Sequence, residues 1–148
     1  MVFVACSTPR PPEPECTSIC GVQLFGSSDC HGFQTIEFAT MLAYGSMVDG
    51  VFPHQVCHEI YGWRVSVLDG PWVSAGCSCE VAGESWSWLH GIRLADDDWG
   101  GNAYAHEMGH VIDHLYRRPP DYLHETWTEL GHYGAIQAAQ EAYLELSR

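Results

Sequence analysis

The chain contains no lysine, and only six arginines stand against 19 acidic residues, for a formal charge of −13. A basic patch able to neutralise phosphates cannot be assembled from that set, so nucleic acid is excluded as a partner. Nowhere do ~18 consecutive apolar residues occur, so no segment reads as a membrane-spanning helix. The seven cysteines form no pair of C-x-x-C elements, which removes the zinc-ribbon class. After residue 15 there is neither an internal repeat nor a second break in composition. A 148-residue chain of this kind suits one domain with a single core, expected to be monomeric.

What is present begins with those cysteines: Cys6, Cys16, Cys20, Cys30, Cys57, Cys77 and Cys79. Six of them suffice for three disulfides and imply an oxidising compartment, secreted or in the cell envelope. Cys77-Ser78-Cys79 reads as too tight for a mutual bridge, so each is expected to pair elsewhere. The odd cysteine is Cys6. Phe3-Val4-Ala5-Cys6 resembles a bacterial lipobox, which implies lipidation of Cys6 as the one route to a membrane. Only five residues precede it, so the resemblance implies a truncated start. The alternative is an ordinary N-terminal stretch with a free thiol.

Residues 7–15 hold four prolines and two glutamates and cannot form a core element. Residues 1–15 are therefore read as a leader or tether, and 16–148 as the domain. Phe33, Ile36, Ala39 and Ala43 recur at helical spacing and predict a helix over 33–47. Three strand-like runs follow at 61–69, 71–83 and 86–96. "DDDWGGN" is a loop, with Asn102 placed to cap the next helix. That helix extends to about Tyr116, where "RRPPD" ends it. A second long helix is expected over 124–146, with Gly131 and Gly134 as kink points. The sum is an α+β fold. A small antiparallel or mixed sheet of three or more strands packs on two helices, stapled by disulfides.

The chemistry concentrates in "HEMGH", residues 106–110. On a helix, residues i and i+4 lie about 40° apart around the axis and about 6 Å along it. His106 and His110 can thus aim imidazole nitrogens at one Zn2+, with Glu107 beside a metal-bound water. Nine histidines and eleven glutamates placed at random would give this pattern in roughly one such sequence in 25, so context must decide. Context favours the metal. The motif sits in a predicted helix, Met108, Ile112 and Leu115 can face the core, and Gly109 accepts a cost in helix propensity.

Over residues 86–130, and most specifically at 106–110, the sequence resembles the zincin metallopeptidases. Their hallmark is this motif on an active-site helix beneath a small sheet. Tyr116 stands where metzincins place a third histidine, so the resemblance is not to that branch. His114, about 12 Å from His106 along the axis, cannot share the ion and reads as a flanking residue. "CHEIYG" is a decoy, since Gly62 replaces the second histidine after His58-Glu59.

His124 and Glu129 are the candidates for a third ligand. His124 lies where the chain has doubled back, and "PDYLHETW" resembles the D-x-x-H-x-x-W element of some small secreted HExxH proteins. Glu129 has the spacing of thermolysin-like gluzincins, and Glu125 and His132 are weaker versions of each idea. His124 is preferred.

The resemblance implies zinc-dependent hydrolysis of peptide bonds in a peptide or protein substrate, one Zn2+ being held by His106, His110 and His124. Glu107 would act as the general base that activates the zinc-bound water. Tyr122, His132 and Tyr133 are candidates to stabilise the oxyanion. Residues 89–94 are expected to form the sheet edge that receives an extended peptide, with His90 and Trp88 packing or facing solvent. The alternatives are a non-catalytic zinc site and a purely structural, disulfide-stapled envelope lipoprotein.

Overall fold

Alternation in three short segments builds the sheet on which the rest of the domain is laid. The computed structural model describes residues 12–47, 53–75, 77–86, 89–101, 103–115 and 133–148. In chain order the elements are β1 (Cys16–Thr17), β2 (Gln23–Phe25), α1 (Cys30–Met47), α2 (Pro53–Glu59) and β3 (Arg64–Val67). There follow β4 (Trp72–Ser74), β5 (Cys79–Val81), β6 (Gly83–Trp86), β7 (Gly91–Leu94), α3 (Ala103–Leu115) and α4 (Tyr133–Leu146). Five strands form one mixed sheet in the order β1-β2-β3-β7-β6, and β4 with β5 forms a separate ribbon. The central strands β2, β3 and β7 are parallel. The edge strand β6 runs antiparallel to β7, pairing Gly83 with Leu94 and Trp86 with Gly91.

The period of two decides which face is which. Leu24, Val65, Ile92 and Leu94 point into the core, whereas Arg64, Ser66 and Arg93 point to the opposite face. Helices α1 and α3 cover the core face, and α4 packs along α1. Between them Phe33, Trp99 and Tyr104 meet edge to face or tilted, with centroids 5.5 to 6.5 Å apart.

Helix α1 starts at a conventional cap. The Asp29 carboxylate accepts from the Gly32 amide at 3.0 Å, and its other oxygen accepts from the Trp99 indole at 3.1 Å. Ser27 donates to Asp97 at 2.8 Å. The start of α1 is thereby tied to the loop that launches α3. Gly32 is required there, because a Cβ would sit 2.4 Å from the Trp99 ring.

Several expectations need correction. Two strands precede α1, and α2 was not foreseen; β1 and β2 are two and three residues long, too short for a periodic signal. The run over 71–83 is not one strand. It folds back as the β4–β5 ribbon, with Ser78 at φ 53° at its turn. The run over 86–96 contributes the end of β6 and all of β7. Of the long helix expected over 124–146, the described part is α4.

The cysteine expectation for 77 and 79 is also overturned. Cys77 and Cys79 pair with each other, alongside Cys16–Cys30 and Cys20–Cys57. Residues i and i+2 share a face, and the left-handed turn at Ser78 brings their Cα atoms to 5.1 Å, within disulfide range. Cys20–Cys57 encloses the longest loop, 37 residues, and so removes the most unfolded-state entropy. Three bridges fit an oxidising compartment. Among the described residues no helix is long and apolar enough to cross a membrane.

One buried acid lies away from the HEMGH segment. Glu37 on α1 is 1% exposed and accepts from the Ser18 hydroxyl and, at 3.1 Å, from the Cys20 amide. Burial raises its carboxyl pKa above the ordinary 4.5, outweighing those two hydrogen bonds. Below that ordinary value both folded and unfolded chains are protonated and nothing is lost. As pH rises through the elevated folded value, ionising the buried group costs stability. Glu37→Gln is therefore expected to remove part of the fall in stability above pH 4.5. Urea titrations of both proteins between pH 4.5 and 8 measure this, and identical slopes would refute it.

Candidate active site

Helix α3 presents two faces of opposite character. Met108, Val111 and Ile112 are buried, Leu115 packs against the core, and His106 and His110 look into a cleft. That cleft, about 450 Å³, lies between α3 and the edge strand β6. The His106 and His110 Nε2 atoms face each other at 3.2 Å, the rings steeply inclined at 76°. Glu107 is between them in sequence and lines the same cleft, yet is only 7% exposed.

The strand above explains how a glutamate fits there. A Cβ on Gly83 would lie 3.2 Å from Glu107 Cγ and 3.3 Å from its Oε1, so glycine leaves room for the carboxyl. Ser85, two residues on and on the same face, donates to Glu107 from both hydroxyl and backbone. Burial pushes the Glu107 carboxyl up to about 7; the Ser85 hydroxyl opposes the shift, the negative charge of Glu84 adds to it, and the Ser85 amide opposes it. A carboxyl poised near neutrality can both accept and return a proton. Tyr44 on α1 donates to the Ala105 carbonyl at 3.1 Å and braces the helix from behind.

The other face of β6 carries a second carboxylate. Glu84 accepts from the Trp72 indole at 2.8 Å, from the Trp86 indole at 2.6 Å, and from the Ser74 hydroxyl. Partial burial by itself would raise its pKa; the Ser74, Trp86 and Trp72 hydrogen bonds and the charge of Arg93 outweigh that and hold it below the usual carboxylate value. The β4–β5 ribbon is thus tied to the rim of the cleft by neutral donors. None of these rim residues was singled out in the sequence. The available signal was Gly83 and Ser85, two small residues at strand spacing, which mark a face that another element approaches closely.

The predicted site residues fall in two groups. His106, Glu107 and His110 line one cleft. His124, Glu125, Glu129, Tyr122 and His132, with Asn102 and Trp88, lie outside the described residues. Among the described residues no group of three or more His, Cys, Asp or Glu side chains stands ready to hold a metal. His114 is exposed near the end of α3. His90 stacks on Trp63 at 5.1 Å, a packing role. The expected sheet edge at 89–94 is corrected: β7 is paired on both sides, by β3 and β6, and among the described strands the edge on that side is β6. No family model, curated protein or solved structure matches the chain.

Proposed function

We propose that this protein is a zinc-dependent peptidase, secreted or held in the cell envelope, with His106 and His110 as metal ligands and Glu107 as general base. The observation that carries the reading is the 3.2 Å between the two Nε2 atoms. Two nitrogens bound at ~2.0–2.1 Å to one tetrahedral ion lie about 3.3 Å apart. His124 is the third ligand in this reading, with Glu129 as its competitor. Bound zinc supplies polarisation of the scissile carbonyl and a water acidified toward neutral pH.

The chain's own residues do the rest. Glu107 takes a proton from the attacking water and returns it to the leaving amine, and Ser85 fixes the carboxyl in place. The edge strand β6 walls the cleft, and an extended peptide lying along it would add to the sheet as one more strand. A cleft this polar, on a protein with so few cations, suits a peptide better than a phosphate-bearing ligand.

A direct imidazole–imidazole hydrogen bond could also produce a 3.2 Å separation, and metal analysis separates the two cases. Protein purified without added zinc is expected to carry one zinc per chain by mass spectrometry. It should cleave a quenched peptide library, stop on chelation and resume when zinc is restored. Protein without stoichiometric metal would end the reading.

Gly83→Val provides a second check. The added methyls occupy the space of the Glu107 carboxyl, so hydrolysis should fall by about 100-fold while zinc content stays at one per chain. Unchanged turnover would mean that the carboxyl position does not matter.

A further inference from the structure

The sheet face turned away from the helices holds two of the chain's six arginines in one hollow of about 260 Å³. Register explains the hollow. Gln23, Arg64, Gly91 and Trp86 form one row across the strands, and Phe25, Ser66, Arg93 and Glu84 form the next. Gly91 leaves a gap in the first row between Arg64 and Trp86. The nearest atoms to a Cβ built there are carbonyl oxygens at 3.8 and 3.9 Å. Each guanidinium is already oriented, Arg64 at 4.4 Å over the Phe25 ring and Arg93 at 4.6 Å over the Trp86 ring.

In so acidic a chain, two cations on one face would be expected to find carboxylate partners. The ion pair among the described residues joins Arg148 and Glu145 instead. Glu84 is the direct cross-strand neighbour of Arg93 and feels its charge, but the two form no ion pair, and the Glu84 oxygens accept from Trp72 and Trp86. Both planar forks line the hollow, neither is engaged in a hydrogen bond or ion pair among the described residues, and a carboxylate is the shape they match.

We propose that this hollow binds a peptide carboxylate, taken by Arg64 and Arg93 above Gly91, with the attached apolar group against Trp86 and Leu89. Trp86 lines both this hollow and the cleft beside α3, so a peptide lying along β6 reaches both. That the carboxylate belongs to a peptide rests on the function proposed above; that a carboxylate binds here does not.

Calorimetry on chelator-treated protein tests the site without involving zinc. Three probes are used: acetyl-Ala-Leu-Ala with a free C-terminus, acetyl-Ala-Glu-Leu amide and acetyl-Ala-Gln-Leu amide. At least one carboxylate probe is expected to bind tenfold or more tightly than the glutamine probe, and which one does so identifies a terminal or a side-chain carboxylate. Arg64→Gln with Arg93→Gln should abolish the difference, and Gly91→Val should abolish it with both arginines kept. Both arginines are exposed, and thermal melts confirm folding. Equal binding of all three probes by the wild type, or a preference that survives these substitutions, overturns the site. A chelator-treated protein that prefers carboxylates but proves inactive with zinc would leave this site standing and remove the peptidase.

Discussion

Glu107→Gln is expected to keep one zinc per chain and to lower peptide hydrolysis by about 10²–10⁴-fold, the usual worth of a positioned general base. The substitution suits the site because it preserves shape. Glutamine fills the space beneath Gly83 and still accepts from Ser85 through its amide oxygen. What it loses is the ability to take a proton, which the buried, near-neutral carboxyl of Glu107 is placed to do. Stopped assays with a quenched peptide, run beside metal analysis, separate the two effects. Turnover equal to wild type with zinc retained would remove Glu107 from the chemistry. Loss of zinc along with turnover would instead make it a ligand or a support for one.

His106→Ala should abolish both metal and activity, because the two imidazoles left in this reading, His110 and His124, hold an ion far more weakly than three. Competition with a chromogenic chelator reads this directly, and zinc affinity is expected to fall by orders of magnitude. The same assay decides the third ligand. His124→Ala should produce a loss comparable with His106→Ala, and Glu129→Ala should leave affinity near wild type. The reverse pattern would assign the third position to Glu129. If His106→Ala retained its zinc, the two facing imidazoles would be a hydrogen-bonded pair on an ordinary helix.

How much of this was legible beforehand depends on whether a feature is local. The i, i+4 pair in HEMGH and the apolar stripe through Met108 and Ile112 follow from 3.6 residues per turn, and both appear where the repeat places them. Helix α1 was legible for the same reason, although its true start came three residues earlier. Asp29 supplies the cap, and its partners include Trp99, seventy residues away. The edge strand could not be read. Both β6 and β7 are four residues long, and either could have been outermost. The Cys77–Cys79 bridge escaped because it needs a left-handed Ser78, which no side-chain pattern announces.

Side-chain spacing along the chain was enough for the facing imidazoles of His106 and His110, the glutamate between them, the acidic composition and the α+β class, since each depends on near neighbours or on counting. Assembly in three dimensions had to choose the strand that walls the cleft, the glycine that makes room for a buried carboxyl, and the two arginines sharing one hollow. Those choices depend on strand order and register. A strand of three or four residues carries too few side chains to specify its neighbours, so its place is settled by what the rest of the fold leaves open.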